Sequence, residues 1–516
     1  MNKHCYLASA LLAGSFLLGG TALSAQERSV TLTTSKAVGS EITLLVNLTN
    51  EGVTVDWGDG NPQTYVDDND PIAEIKGTVK GSTIRVSSNK TWTMFSCAGC
   101  GVTSIDLSNA RDLESLYCQD NALETIDLKD MNALRDFNAA NNALTAIEYT
   151  KASYPESDLK AIENFNVANN KLSGTFVIRA ASLRAADISN NAFTTTYLTS
   201  NPNLDMFICS DNQIKTLNAS KCTSLSTLVC NGNGITSLTL PTSTTTLQQL
   251  VIDDNAITAT LDLSGNASLY DLSVANNGLS MLYLPAKTKL NTLNLSGNKL
   301  TFNALPLKAV MPPYISFMPQ AKVDISGYDN VLDKDGVPYV ALSTWATRTQ
   351  NQLDINSLRY IGVTPSSSGM SEGTTLWYAV EASGDTIQLE QGKTSSAPND
   401  YFVSSGKYTF FTPHGRAFAR IMGNNAYKSA GFYIETSDIA IGEESTTGIS
   451  AVPTTDDGLN VTAAHGTLTL TATAAAVKAT VVGTDGRTVW TGTVDGQTTL
   501  SLPAGIYIVN GQKVAL

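Results

Sequence analysis

The sequence predicts a mainly β protein: a solenoid of short 21–22-residue repeats flanked by β-sandwich (immunoglobulin-like) domains. Three observations carry this. Asn121, Asn142, Asn170, Asn191, Asn212, Asn233, Asn255, Asn277 and Asn298 follow one another at steps of 21 or 22 residues, with a single step of 28. Each closes a phrase whose apolar residues alternate, as in a strand buried on one face. On both sides of this stretch, short alternating runs are separated by Asp-Gly, Asn-Pro and Asn-Gly turns. The expected division is a leader at 1–25, a small β domain at 26–91, repeats at 92–305, a β-sandwich at 306–445 and a last β domain at 446–516.

The repeated phrase is Leu113…Leu116…Cys118…Asn121…Leu123, then Leu134…Phe137…Ala139…Asn142…Leu144. Later copies include Leu204…Phe207…Cys209…Asn212…Ile214 and Leu290…Leu293…Leu295…Asn298…Leu300. This L-x-x-L-x-L/C-x-x-N-x-L is the pattern of a leucine-rich repeat. A weaker copy leads in, Trp92…Phe95…Cys97…Cys100…Val102, with Cys100 in the Asn slot. One repeat cannot bury its apolar edge alone, so copies stack into a parallel solenoid. The Asn falls where the chain must turn, and its amide can both donate to and accept from neighbouring main chain. Repeats this short leave little room for a helix, so extended or 3₁₀ segments are expected on the convex side. The long step, at Tyr149–Leu159, reads as a convex loop.

A chain of 516 residues has room for several domains. Charged residues make up only 15%, the formal net charge is −13, and no Lys/Arg cluster occurs. Nucleic acid and anionic membrane are poor partners for such a chain. Lys3, the apolar run Leu7–Gly20 and the small residues Ala22–Ala25 read as a secretory signal cleaved near Ala25. That run is short for a membrane anchor, and no other stretch is long enough to span a bilayer. Six cysteines remain: Cys97, Cys100, Cys118, Cys209, Cys222 and Cys230. Export permits disulfides. Yet Cys97, Cys118, Cys209 and Cys230 occupy one inward slot of their repeats and are expected as small buried apolar residues. Cys97-x-x-Cys100 looks like a redox or zinc half-site but lacks a second pair and a nearby His. No metal or cofactor is expected.

Between the signal and the repeats, Val30–Thr34 and Glu41–Asn47 alternate as strands, and Ile84–Val86 is the last strand expected. Val53–Trp57 enters a tight turn through Gly58-Asp59-Gly60-Asn61-Pro62. This V-x-V-D-W-G-D-G phrase resembles the turn of PKD-type immunoglobulin-like domains. Asp56 and Asp59 are read as holding the turn by bonding nearby N–H groups, in preference to ligating calcium. The domain would also cover the open apolar end of the first repeat.

Strand positions between the buried ones face the concave surface. Successive repeats present Ser115, Tyr117 and Gln119; Asp136, Asn138 and Ala140; Asn164, Asn166 and Ala168; Ala185, Asp187 and Ser189. These are mostly small and polar. The character changes with Met206, Ile208 and Ser210; Thr227, Val229 and Asn231; Gln249, Val251 and Asp253. It reverts with Asp271 and Ser273. Ile208, Val229 and Val251 should form a contiguous apolar row with Met206, Asp211, Asp253 and Asp254 beside it. Apolar patches rimmed by polar groups mark interaction sites, although β-branched residues also simply favour exposed sheet positions. The expected partner face is therefore Tyr117, Met206, Ile208, Val229, Val251, Asp211 and Asp253, for a protein or glycan ligand.

Leu305–Leu307 and Met311–Tyr314 break the period and should end the solenoid. Strand candidates follow at Ala321–Ile325, Tyr339–Leu342, Thr375–Val380, Thr386–Leu389, Lys407–Phe411, Ala417–Met422 and Gly431–Thr436, a sandwich-like spacing. Glu443–Ser450 reads as a linker. The last segment carries Asp485-Gly486-Arg487 between strands, then Leu502-Pro-Ala-Gly505-Ile-Tyr507-Ile-Val-Asn-Gly511-Gln-Lys513-Val514. It resembles the C-terminal sorting domain recognised by the type IX secretion system of Bacteroidota, with Asp485, Gly486, Arg487, Gly505, Tyr507, Gly511 and Lys513 as its motif. The repeats with Cys in the strand, preceded by V-D-W-G-D-G, are similar to internalin-like surface proteins of the same bacteria. The resemblance implies Sec export, transfer across the outer membrane by the type IX machinery, removal of the sorting domain and frequent attachment to surface polysaccharide.

His414 and His465 are the mature chain's two histidines, they fall in different expected domains, and no Walker loop, HExxH or nucleophile motif occurs. An enzyme is not expected. The reading is a secreted, outer-surface protein that binds protein or glycan in adhesion or biofilm formation. The alternative is a structural stalk or scaffold whose solenoid is a spacer.

Overall fold

The computed structural model describes residues 27–47, 52–66, 72–149, 159–241, 246–258, 260–285, 289–305, 312–334, 336–343, 345–359, 374–393, 400–423, 431–442, 459–464, 467–473, 475–483, 487–502, 506–509 and 512–515. Among these residues the regular elements are strands and short 3₁₀ turns. The chain divides into two compact units. One comprises Met1–Thr258, Ser264–Asn277 and Pro285–Leu293; the other comprises Ala259–Leu263, Gly278–Leu284 and Asn294–Leu516.

In the first unit, the N-terminal strands are β1 (Arg28–Thr34), β2 (Glu41–Val46), β3 (Val53–Asp56), β4 (Gln63–Tyr65), β5 (Ala73–Thr78), β6 (Thr83–Ser88), β7 (Met94–Ser96) and β8 (Val102–Asn109). Five of them form an antiparallel sheet ordered β4-β3-β6-β1-β8. The remaining strands head a second sheet in the order β5-β2-β7, with Val46 opposite Phe95. Beyond β7 this sheet becomes the parallel concave sheet of the repeats. The N-terminal strands thus pair with the open end of the solenoid as well as covering it.

The turn after β3 bears out the structural reading of its carboxylates. Asp56 Oδ1 accepts from the N–H groups of Gly58, Asp59 and Gly60 at 2.8, 3.2 and 3.1 Å. Asp59 accepts from the Asn61 N–H and, at 2.8 Å, from Lys80 Nζ. The Lys80 contact holds the Asp59 carboxyl below the usual carboxylate range. Trp57 is 1% exposed and its Nε1 donates to Tyr65 Oη at 2.9 Å. Gly77 lies against this indole, where a Cβ would come 2.0 Å from the ring.

Each repeat contributes a three-residue strand: Ser115–Tyr117, Asp136–Asn138, Asn164–Asn166, Ala185–Asp187, Met206–Ile208, Thr227–Val229, Gln249–Val251 and Asp271–Ser273. They pair parallel and in register. The central residues stack into one buried column: Leu116, Phe137, Phe165, Ala186, Phe207, Leu228, Leu250 and Leu272. Where Ala186 is too small to fill its layer, Phe176 enters from the convex side, 6.0 Å from the rings of both Phe165 and Phe207. The convex side is extended, with parallel pairs such as Thr125–Asp127 with Ala146–Glu148 and Thr216–Asn218 with Ser237–Thr239. The long step at 150–158 lies outside the described residues.

The repeated asparagines hold the turns. Asn142 Nδ2 donates to the carbonyls of Cys118, Ala139 and Ala140 at 2.9, 3.1 and 3.3 Å, and Oδ1 accepts from the Leu123 N–H at 2.9 Å. Asn121, Asn170, Asn191, Asn212, Asn233, Asn255 and Asn277 repeat this set. One amide therefore ties its own turn to the preceding repeat. The residue before each Asn has φ between 51° and 60°: Asp120, Asn141, Asn169, Asn190, Asp211, Gly232, Asp254 and Asn276. This left-handed backbone selects Asn, Asp or Gly. The chain folds as a leucine-rich repeat solenoid.

In the second unit the ladder continues past the expected end at residue 305. Asn298 Oδ1 accepts from the Leu279 N–H at 3.0 Å. Gln320 then takes the Asn role, accepting from the Leu300 N–H at 2.9 Å and donating to the carbonyls of Leu295, at 2.8 Å, and Phe317. A strand at Tyr314–Ser316 precedes it, and Phe317 is buried on Phe302. The prolines interrupt the motif without ending the turn-to-turn bonding.

Beyond it, a sheet runs in the order Val331–Lys334, Val337–Val340, Ile439–Ile441, His414–Met422, Thr375–Val380 and Thr386–Gln388. It packs on a smaller sheet of Leu353–Asp354, Lys407–Phe410 and Tyr401–Ser404 through Trp377, whose ring lies 4.8 Å from that of Phe410. Ala321–Ile325, expected as a strand, makes one bridge, from Val323 to Thr436. At the C-terminus, Leu459–Ala464, Thr467–Ala472 and Gln497–Ser501 form one sheet. Val477–Gly483, Thr488–Val494, Ile506–Val509 and Gln512–Ala515 form another, and the two share a core around Leu468, Leu470, Val481 and Tyr507. Among the described residues no helix is long and apolar enough to cross a membrane.

Candidate functional site

The concave surface is built in columns, because parallel in-register strands place equivalent side chains about 4.8 Å apart. One column reads Tyr117, Asn138, Asn166, Asp187, Ile208, Val229, Val251 and Ser273. The apolar row anticipated from the sequence is contiguous, with Met206 in the adjoining column between Ala185 and Thr227. Its exposure differs from expectation. Met206 and Ile208 are half-buried, whereas Val229 and Val251 are 8% and 7% exposed. Branched side chains at this spacing cover one another, so the open apolar surface belongs mainly to Met206 and Ile208.

The acidic residues beside the row have internal tasks. Asp211 is an exposed turn residue whose identity is set by its φ of 55°. Asp253 accepts from Ser273 Oγ at 2.7 Å and from the Ala275 N–H at 2.7 Å. Burial, with a smaller contribution from Asp254, pushes its carboxyl up despite these hydrogen bonds. Tyr117 is half-buried, and burial together with Asp136 raises its phenol.

The polar part of the column was not singled out by sequence reading. Asn138 Oδ1 accepts from the Ala140 N–H and Asn166 Oδ1 from the Ala168 N–H, both at 3.0 Å. Asp187 Oδ1 accepts from the Ser189 N–H at 3.0 Å and from its Oγ at 2.6 Å. Along the strand entries, Arg135 meets Glu114 at 3.9 Å and Glu163 at 2.7 Å, and Arg184 meets Glu163 at 3.7 Å. An Asx two residues before each turn N–H, and alternating Glu and Arg at one repeat position, were the available clues.

The six cysteines are buried and unpaired. Burial pushes the Cys118 thiol up to about 12 and the Cys222 thiol to about 11, and raises Cys97, Cys100 and Cys209 as well. These are thiols in apolar slots, chemically quiet. Of the sorting-motif residues, Tyr507 is 8% exposed within the C-terminal core, Arg487 is exposed, and the backbone of Lys513 pairs with Ile508. Asp485, Gly486, Gly505 and Gly511 lie outside the described residues, as does His465. His414 Nε2 is 3.4 Å from Asp400 Oδ1.

No protein-family model matches the chain, and no curated protein does. Among solved structures, the functional domain of InlJ from Listeria monocytogenes, described as including a cysteine ladder, is 15% identical. The match covers 70% of this chain and 93% of that one, with a TM-score of 0.32. The leucine-rich repeat domain of APL1B is 16% identical over 45% of this chain and 73% of its own, with a TM-score of 0.30. A chain of the LRIM1/APL1C complex is 21% identical over 38% of this chain, with a TM-score of 0.31. The present chain spans 41% of the length of that chain. The fold assignment rests on the asparagine ladder and strand register described above.

Proposed function

We propose that the chain is a secreted, cell-surface leucine-rich repeat protein whose concave face binds a partner protein in adhesion or biofilm formation, with no catalysis of its own. The observation that supports this most is the change in the concave columns at Met206 and Ile208. There two half-buried aliphatic side chains interrupt an otherwise polar surface and lead into Val229 and Val251. On this reading residues 1–25 direct export, and the internalin-like and PKD-like phrases belong to a Bacteroidota surface protein. The segment from Asp485 to Lys513 is then the signal for the type IX machinery.

The test compares surface location and adherence of cells carrying the intact chain with cells whose chain stops before Leu459. Truncation is expected to hold the protein in the periplasm and reduce attachment; surface display of the truncated chain would remove the sorting reading. Within the intact chain, Ile208→Lys should abolish attachment of a folded, displayed protein. Unchanged attachment would instead favour a structural stalk. The burial of Val229 and Val251 and the internal bonds of Asp253 speak for that second reading.

A further inference from the structure

We propose that the first half of the concave face is a separate binding site for a neutral carbohydrate, centred on Tyr117, Asn138, Asn166 and Asp187. These four side chains stand in one column on adjacent parallel strands. The amide oxygens of Asn138 and Asn166 are each held by the backbone N–H two residues on, at 3.0 Å. Each Nδ2 is thereby fixed in place, and it donates to no group among the described residues. The column thus presents two immobilised N–H₂ donors about 4.8 Å apart. Asp187 follows, with Oδ1 engaged by Ser189 and Oδ2 left as an acceptor. In the neighbouring column Asp136 is aligned by Ser115 Oγ and Asn164 Nδ2 at 3.3 and 2.6 Å. Ala140 and Ala168 keep the flank low.

A matching ligand accepts from amide N–H groups and, one strand further on, donates to a carboxylate. A hydroxyl group does both from one atom, whereas a peptide divides the two roles between its C=O and its N–H. A row of sugar hydroxyls meets the requirement, and the Tyr117 ring offers an apolar surface for sugar C–H groups beside its polar hydroxyl. Charge selects against acidic sugars. Glu114, Arg135, Glu163 and Arg184 offset one another along the edge. Asp136 and Asp187 remain, and would repel a carboxylate or sulfate. Donors already immobilised in the free protein need no ordering on binding.

The experiment exposes the full-length chain to immobilised short oligosaccharides of neutral hexoses and N-acetylhexosamines beside uronic-acid-bearing ones and unrelated peptides. Neutral sugars should be bound and uronic ones rejected. Asn138→Asp combined with Asn166→Asp keeps the oxygen bonded to the Ala140 and Ala168 N–H groups but replaces both donors with acceptors. Affinity should fall roughly tenfold or more, the loss of two hydrogen bonds. Should that double variant fold poorly, Tyr117→Ala decides, with an expected loss of about fivefold or more. Failure to bind any neutral sugar, a preference for uronic sugars or peptides, or wild-type affinity in the folded variants would each overturn the proposal.

Discussion

The two halves of the concave face share a backbone and a strand spacing, yet they satisfy the same backbone donor by different routes. The N–H just past each strand must find an acceptor. From Asn138 to Asp187 it is taken within the repeat, by the side chain two residues earlier. Past the slots of Val229, Val251 and Ser273, the acceptor comes instead from the previous repeat. Ser210 Oγ accepts from the Asn231 N–H at 3.2 Å, Asn231 Oδ1 from the Asp253 N–H at 3.1 Å, and Asp253 Oδ1 from the Ala275 N–H at 2.7 Å. The polar half bonds locally and leaves its amide nitrogens facing outward. The aliphatic half bonds from repeat to repeat and turns its polar atoms inward. A surface that looks like a change of ligand preference is therefore also a change in how the turns are held.

The largest test places the same group in the same slot of each half. Val229→Asp puts a carboxylate among Ile208 and Val251 at a site that is 8% exposed, and should cost about 3 kcal/mol or more. Asn138→Asp retains the acceptor for Ala140 and should cost less than about 1 kcal/mol. Urea denaturation midpoints measure both, and equal costs would mean that the halves do not differ as described. This also determines how the apolar row should be probed: a charge at Val229 reports on folding, whereas Ile208→Lys reports on binding.

A smaller effect tests the exchange of acceptors itself. Ser210→Ala deprives the Asn231 N–H of its partner and should cost about 1–2 kcal/mol. Val229→Asn in the same chain restores the within-repeat solution of the polar half. The double-mutant cycle should then show a favourable coupling of about 1 kcal/mol. A coupling of zero would leave the two capping routes unconnected.

The solenoid was legible because its physics is periodic. Asn121 and its successors make the same four hydrogen bonds in each turn, so selection writes them at a fixed spacing. The left-handed residue before each was equally periodic, and at Asp211 that backbone requirement went unread because its neighbours in the column are Asn190 and Gly232 rather than other acids. Gln320 escaped because a longer side chain does the same work behind Met311-Pro312-Pro313. The direction of the concave side chains followed from strand alternation, but their exposure did not. Burial of Val229 depends on what stands one strand away on each side, which a period-two rule does not weigh. The roles of Asn231 and Asp253 were hidden for the same reason, since their partners lie 22 residues ahead in sequence.

The smallest expected effect concerns the carboxylate on which the aliphatic half ends. Burial raises the pKa of Asp253 in the folded protein above its ordinary value. Between the unfolded and folded values the native state holds more protons than the unfolded chain, so stability from this group rises as pH falls through that window. At neutral pH the charged, half-buried carboxylate is a cost, offset in part by Ser273 and the Ala275 N–H. Asp253→Asn keeps an oxygen for the Ala275 N–H and removes the charge. Its advantage over wild type should be greatest near neutral pH and shrink on acidification. Because the group is partly solvated, the difference is expected to stay below about 1 kcal/mol. Thermal midpoints of the two proteins across the carboxylate range measure it. An advantage that grows with acid would mean that the hydrogen bonds to Asp253 outweigh its burial, and the aliphatic half would then end on a stabilising anion rather than a strained one.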